Sequence, residues 1–232
     1  MGDNNGIINL HLAFRESHFE IVRLLIEKGA NAKVANNNGR TPLHFAFEEG
    51  YFEVVRLLIE KGADAKVANK DGWTFLHWAS REGHFEMARL LIEKGADAKV
   101  ANKNGWTPLH FAFEEGHLEV VQFLIEKGAN AKVANNNGWT PLYIAFEKGH
   151  FEVAQFLIEK GANAKVANNN GWTPLYVAFE KGYFEMAQFL IEKGAGAKVA
   201  NNNGRTPLYI AAANGRIIFI KFLFIYGVNI RV

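Results

Sequence analysis

The amino-acid sequence repeats itself every 33 residues from end to end. A fixed period of about 20 to 50 residues is typical of proteins that stack one small structural unit many times. The repeat therefore predicts one elongated array, a single domain 1–232, and not one or two globular domains. The hexapeptide LIEKGA marks the period, starting at Leu25, Leu58, Leu91, Leu124, Leu157 and Leu190.

Each repeat is predicted to form a short helix, a turn and a longer helix, numbered here as positions 1–33 from Asn135. An Asn-Gly pair at positions 3 and 4 favours a tight turn. Thr140 is suited to cap the following helix, which we expect at 141–148, and Gly149 to end it. A second helix is expected at about 151–160. Neither helix buries its apolar side alone, so neighbouring repeats must stack.

Seven repeats account for the chain, and the first and last are atypical. The first lacks the Thr-Pro pair and carries Ser17 in place of the glycine between the helices, which favours a role as an N-terminal cap. The predicted boundaries are 3–35, 36–68, 69–101, 102–134, 135–167, 168–200 and 201–232.

The repeat resembles the ankyrin repeat. The residues that carry the resemblance are Gly-x-Thr-Pro-Leu-His, as in Gly105–His110, a glycine eight residues after the proline, and a Leu-rich helix ending in Gly-Ala-Asp or Gly-Ala-Asn. The resemblance covers essentially the whole chain. It implies an all-α solenoid of stacked helix-turn-helix units with β-turn or hairpin loops. It also implies a non-enzymatic scaffold that binds protein partners through a concave surface, formed by turn tips and first helices.

The sequence carries no pattern that indicates catalysis, a cofactor or a metal site. All eight histidines fall at position 9 or position 16, where other repeats have tyrosine, as at Tyr143 and Tyr183. A catalytic or metal-binding histidine does not exchange with tyrosine, so we expect these side chains to form hydrogen bonds that tie loops and repeats together. Cysteine is absent, which excludes disulfides and thiolate metal sites.

Charge and hydropathy argue against nucleic acid and against a membrane span. The formal net charge is +2, from 26 basic and 24 acidic residues, which is too balanced to indicate nucleic acid by itself. No apolar run reaches the length of about 18 residues that spans a bilayer. The segment 1–6 is polar with no apolar stretch behind it, so we expect no signal peptide and a cytoplasmic location.

A row of tryptophans at position 5 is the main candidate for a partner-binding site. Helix pairs stack about 10 Å apart, so four consecutive turns span about 30 Å, the length of about nine residues of extended peptide. Tryptophan and arginine are also enriched at binding hot spots. The alternative is that the rings pack on neighbouring turns and recur because repeats were copied. Position 5 is occupied by Arg40, Trp73, Trp106, Trp139, Trp172 and Arg205.

The third and fourth repeats differ from their neighbours on the surface expected to bind. If one patch is specialised, we expect it there, and the added candidates are Lys70, Asp71, Trp78, Arg81 and Lys103. Phenylalanine at position 12, where the family has a small residue, either fills the core or faces the groove. In the second case the chain would bind a small apolar or lipid-like ligand. A designed array without a natural partner is a further alternative.

The last helix is apolar nearly all round, unlike the other second helices. Ile225, for example, stands where six earlier repeats have glutamate. Such a helix is expected to be buried on every side. The explanations are that the array continues beyond Val232, that this end packs on another chain, or that it is a poor cap. The residues predicted for self-association are Ile217, Ile218, Phe219, Phe222, Phe224, Ile225 and Tyr226.

Overall fold

A computed structural model describes residues 9–16 and 18–228 of the chain. Contacts divide it into two compact parts, described separately below. The N-terminal part comprises Met1–Ala79 and Phe85–Asp97, and the C-terminal part comprises Ser80–His84 and Ala98–Val232. Ser17 and the outer boundaries of the first and last predicted repeats lie outside the described residues.

The described residues form fourteen helices, two in each repeat. The first helices are α1 (Asn9–Arg15), α3 (Pro42–Glu48), α5 (Phe75–Arg81), α7 (Pro108–Glu115), α9 (Pro141–Lys148), α11 (Pro174–Lys181) and α13 (Pro207–Ala213). The second helices are α2 (Phe19–Glu27), α4 (Phe52–Glu60), α6 (Phe85–Glu93), α8 (Leu118–Glu126), α10 (Phe151–Glu159), α12 (Phe184–Glu192) and α14 (Ile217–Ile225). Within residues 9–16 and 18–228, β pairing is limited to one isolated antiparallel bridge, Ala68 to Thr74.

The helix boundaries follow the sequence signals that predict them. In repeat 5, Thr140 caps α9, since its Oγ1 accepts a hydrogen bond from the backbone N–H of Tyr143 at 3.2 Å. Pro141 occupies the first turn, where an absent N–H costs nothing. Gly149 ends the helix with φ of +80°, a left-handed conformation that glycine adopts without strain.

Phenylalanine at position 12 fills the core between the two helices of a repeat and their neighbours. Phe113, Phe146 and Phe179 are completely buried in the C-terminal part. Phe14 is almost completely buried in the N-terminal part, where Phe47 is half-buried. Of the two predicted roles for this position, the core role is therefore the one these side chains adopt.

Successive helix pairs stack side by side within each part. In the C-terminal part the first helices α7, α9, α11 and α13 form one row. Aromatic rings fill the space between second helices, and the Phe151 and Phe189 rings lie 5.5 Å apart between α10 and α12. Each repeat thus buries its apolar side on its neighbours, which is the packing expected of a solenoid.

The apolar helix α14 is buried on one side only, which corrects part of the self-association prediction. Phe219 and Phe222 are buried, since their rings lie 5.3 Å from the Phe184 ring of α12. Phe219 also lies 4.8 Å from the Phe179 ring. Both belong to the internal packing and offer little surface to another chain. The side chains that stay exposed are Ile217, Ile218, Phe224, Ile225 and Tyr226.

Candidate functional site

The turn at the start of each repeat is built around the asparagine at position 1. In repeat 5, Asn135 Oδ1 accepts hydrogen bonds from the backbone N–H groups of Asn137 and Trp139, at 2.9 and 3.0 Å. The backbone N–H of Asn135 donates to the Trp139 carbonyl at 2.9 Å and closes the loop. These bonds fix the backbone that carries the position-5 side chain. Equivalent bonds are formed by Asn36, Asn69, Asn102, Asn168 and Asn201.

A row of hydrogen bonds joins the turns of the C-terminal part. Asn136 Nδ2 donates to the carbonyl of Lys103 at 2.9 Å, and Asn169 Nδ2 donates to the carbonyl of Asn136 at 3.2 Å. Asn202 Nδ2 donates to the carbonyl of Asn169 at 2.9 Å. This asparagine ladder at position 2 was missed from the sequence. The sequence feature that could have revealed this ladder is the recurrence of asparagine at position 2, on the turn tips that were predicted to contact a partner.

Glycine at position 4 makes the asparagine ladder possible. Gly105 has φ of +76°, and a Cβ added there would lie 2.6 Å from Asn136 Oδ1 and 2.9 Å from its backbone nitrogen. Any side chain at this position would therefore separate two turns. The Asn-Gly pair predicted a tight turn, and the structure shows in addition that position 4 must lack a side chain because the next turn packs against it.

The histidine of the first helix connects one turn to the next. His110 Nδ1 lies 3.0 Å from the backbone nitrogen of Thr107, whose N–H donates to it. Nδ1 is therefore the unprotonated nitrogen, and Nε2–H donates to the Trp139 carbonyl at 3.2 Å. The histidine at position 16 acts similarly, because His150 Nε2 lies 2.9 Å from the Glu114 carbonyl. The predicted role of the histidines as ties between repeats is confirmed at these residues.

Each tryptophan of the C-terminal part rests on an aromatic ring of its own first helix. The ring centroids of Trp106 and Phe111 are 4.8 Å apart, and Trp172 stacks on Tyr176 at 5.0 Å. Trp139 lies 5.6 Å from Tyr143. All three indoles are partly buried, so one side of each ring packs on the repeat while part of its surface reaches solvent.

Arg205 occupies the tryptophan position in the last repeat and, like the tryptophans, packs on an aromatic ring of its own first helix. Its guanidinium lies 5.5 Å from the centre of the Tyr209 ring, a cation–π contact. The pKa of Tyr176 is raised, chiefly because burial disfavours the phenolate, although the nearby Arg205 opposes the shift. Trp106, Trp139, Trp172 and Arg205 thus occupy one position on four joined turns.

Ion pairs join the first helices beside the tryptophans. Lys148 Nζ lies 2.9 Å from Glu114 Oε1, and Lys181 Nζ lies 2.7 Å from Glu147 Oε1. The hydrogen bond and charge of Glu147 raise the pKa of Lys181. Both lysines are exposed and both glutamates are half-buried, so the charges remain open to solvent and to a partner.

The remaining candidates of the C-terminal part lie at its edge. Arg81 is exposed and its Nε lies 3.9 Å from Glu82 Oε1, while its carbonyl accepts a hydrogen bond from His117 Nε2 at 3.0 Å. Lys103 is exposed, and its carbonyl begins the asparagine ladder. Both side chains lie on the surface.

The N-terminal part contains a separate group of candidates. Arg40 forms an ion pair with Glu48 and lies over the Phe45 ring at 4.2 Å. In repeat 3 the Trp73 ring lies 5.2 Å from the Trp78 ring, and 40% of Trp78 is exposed. Lys70 and Asp71 are exposed on the adjoining turn. Repeat 3 therefore has a pair of tryptophans, Trp73 and Trp78, where the repeats with a single tryptophan pair it with another aromatic residue.

The described residues offer little for other kinds of chemistry. Residues 9–16 and 18–228 hold no group of three or more histidine, aspartate or glutamate side chains placed to bind a metal ion. A surface depression of about 500 Å³ lies between α1 and α2, and Leu12, Ile21 and Leu25 are among the residues that line it. Among these same residues, every helix is too short or too polar to cross a membrane.

Comparison with known families identifies the repeat. The family model described as ankyrin repeats (3 copies) matches residues 1–69, 62–135, 95–168, 127–201 and 160–232, which together cover the whole chain. No curated protein matches the sequence.

Proposed function

The chain belongs to the ankyrin-repeat family, and on this premise we propose that it is a non-enzymatic scaffold that binds a protein through its turn tips and first helices. Ankyrin repeats generally mediate protein–protein interaction, and the family is typically non-enzymatic. The binding surface we propose is the concave face implied by the family. In the C-terminal part it contains Trp106, Trp139, Trp172 and Arg205, with Lys103 and Arg81 at its edge.

The observation that carries the proposal is the repeated presentation of a partly exposed indole on a rigid turn. The Asn135 loop fixes the backbone of Trp139, and the Tyr143 ring supports its side chain. Little conformational entropy remains to be lost when such a ring contacts a partner, and preorganisation of this kind favours affinity. If the tryptophans recurred only because the repeats were copied and their rings had only a packing role, complete burial would suffice. Each indole instead retains exposed surface.

The spacing of the turns favours an extended segment as the bound element. Four consecutive stacked turns at about 10 Å per repeat span about 30 Å, which matches about nine residues of extended peptide. The ion pairs Lys148–Glu114 and Lys181–Glu147 border this surface and supply charges of both signs for a polar rim. We therefore propose an extended segment of another protein, with apolar side chains that meet the indoles.

The small-ligand alternative receives no support from the phenylalanines on which it depended. Phe113, Phe146 and Phe179 are completely buried in the repeats. They line no groove on the turn side.

Affinity capture with matched variants tests the proposal. The test variant carries Trp106→Ser, Trp139→Ser and Trp172→Ser. The control carries Gln122→Ser, Gln155→Ser and Gln188→Ser, the same number of changes in the same repeats but on the second helices. Wild type and control should retain the same partner, and the test variant should lose it, with thermal unfolding confirming that all three chains are folded. Equal capture by the test variant would refute the proposal.

The tryptophan pair of the N-terminal part is tested separately. Trp73→Ser with Trp78→Ser should weaken capture of the same partner if both parts contribute to binding. Undiminished capture by this variant would restrict the site to the C-terminal part.

A further inference from the structure

Helix α14 differs from every other second helix on its outer face, defined here as positions 18, 21 and 25 of the repeat. Positions 18 and 25 are glutamate in the six preceding repeats, and all twelve of these side chains are exposed. Each of these six repeats is followed by another repeat and the glutamates are still exposed, so stacking does not cover this face. In α14 the two positions hold Ile218 and Ile225, which are 67% and 80% exposed.

A continuing array would therefore not explain the outer face of α14. Ile217 and Phe224 occupy positions 17 and 24, on the side that faces a following repeat, as the contact of Phe151 with Phe189 shows for position 17. An additional repeat would cover these two residues. Ile218 and Ile225 would remain in water, where the other repeats place charged groups.

The ion pairs and hydrogen bonds that normally accompany this face are also absent from α14. In other repeats the position-21 side chain contacts the glutamate four residues later, as Arg56 Nε does with Glu60 Oε1 at 3.2 Å and Gln188 Nε2 with Glu192 Oε1 at 3.0 Å. Lys221 has Ile225 at that place. Within the described part of the chain Lys221 has no ion-pair partner. The face is therefore an apolar surface with one unpaired cation at its centre.

We propose that a second copy of this chain covers the outer face of α14 in a weak, symmetric dimer. A two-fold interface uses the same patch on both chains, and apolar side chains are complementary to themselves. Ile218 and Ile225 of the outer face, with the adjoining exposed side chains of Ile217, Phe224 and Tyr226, present on the order of 450 Å². Two copies would bury about 900 Å², somewhat below the 1,200 Å² or so of stable complexes, which is why we expect the dimer to be weak.

Neighbouring charges favour a second copy over a lipid surface. Glu185 and Glu192 are exposed on α12, the helix that packs against α14. An anionic bilayer would repel these carboxylates. A second copy would bring its own Lys221 toward them, and Glu185 likewise has no ion-pair partner within the described residues. The patch thus carries both signs needed for pairing with itself.

Analytical ultracentrifugation of the full chain tests the dimer, over about 1 to 300 μM, where a micromolar equilibrium is visible. The test variant, Ile218→Glu with Ile225→Glu, restores the residue type of the other repeats and leaves the buried Phe219 and Phe222 unchanged. The control, Glu152→Gln with Glu159→Gln, alters the same two positions on α10. Wild type and control should dimerise alike, and the test variant should dimerise at least about tenfold more weakly. Circular dichroism should show equal helicity.

Three results would overturn the inference. The first is a wild-type chain that stays monomeric at every concentration. The second is a test variant that dimerises as strongly as the wild type, since the interface would then lie elsewhere. The third is a monomeric wild type that floats with phosphatidylcholine/phosphatidylserine vesicles, since a bilayer would then be the occupant. None of these results bears on partner capture by the tryptophans, so the two proposals fail independently.

Discussion

At the scale of single residues, the turns depend on groups whose roles differ from those that the sequence suggested. The turn tips were expected to contact a partner, yet the side chains of Asn136 and Asn169, both at position 2, are occupied in bonds between turns. The sequence singled out the tryptophans, but it did not predict that Phe111, Tyr143 and Tyr176 would support their rings. Such contacts depend on side-chain directions that a repeat pattern does not encode.

Gly105→Ala should destabilise the chain more than Gly161→Ala. Both glycines have positive φ, +76° and +87°, so both substitutions carry the left-handed strain of about 1 kcal/mol. A Cβ at Gly105 would also overlap Asn136, whereas nothing lies within 4 Å of one at Gly161. We expect an additional cost of about 1–3 kcal/mol for Gly105→Ala. Thermal unfolding of the two variants measures the difference, and equal midpoints would contradict the close packing of the turns.

Folding should weaken as the pH is lowered below about 6.5. Burial lowers the pKa of His44 from 6.5, and the nearby Arg40 lowers it further. Its Nδ1 also accepts the Thr41 N–H, which requires the neutral ring. The unfolded chain therefore binds more protons than the folded chain in this range, so the free energy of unfolding falls as pH falls.

His44→Tyr should reduce this pH dependence, since tyrosine occupies the same position at Tyr143. Chemical unfolding at pH values between about 5.5 and 7.5 measures the slope, above the range in which carboxylates of ordinary pKa titrate. His11 and His84, whose pKa values are also lowered mainly by burial, should maintain part of the slope. An unchanged slope in the variant would show that His44 does not contribute.

At the scale of helices, the sequence predicted the pairs well and the last helix poorly. The expected first helix at 141–148 agrees with α9, and the second ends at Glu159, one residue before the expected end. For α14 the composition predicted apolar surface all round, whereas Phe219 and Phe222 pack on Phe184. Hydrophobicity alone does not tell which side of a helix meets its neighbour, but the register of the earlier repeats does.

Phe146→Ala should be among the most damaging single changes in a helix. The ring is completely buried between stacked repeats, so its removal leaves a cavity and should cost about 3–5 kcal/mol. Phe156→Ala is the matched control, since Phe156 is only half-buried, with Lys160 5.8 Å from its ring centre, and should cost less than about 2 kcal/mol. Thermal unfolding compares the two, and similar losses would contradict a core role for position 12.

At the scale of the whole molecule, the period gave the family and the fold class, while the binding surface remains a proposal. Repeats of one family share their core, and the partner is determined by surface residues on that core. The sequence therefore predicted the stacked helix pairs from Thr140, Pro141 and Gly149. The sequence did not determine which surface binds, because recurrence in every repeat does not separate binding residues from packing residues. Trp139 and Phe146 both recur along the chain, and Phe146 is buried.

Hydrogen–deuterium exchange of the chain, alone and with its captured partner, tests binding through the turn tips and first helices. We expect slower exchange at the turns that carry Trp106, Trp139 and Trp172 and along α7, α9 and α11, with the second helices α8, α10 and α12 unchanged. Slower exchange confined to the second helices, with the tryptophan turns unaffected, would contradict binding through the turn tips and first helices.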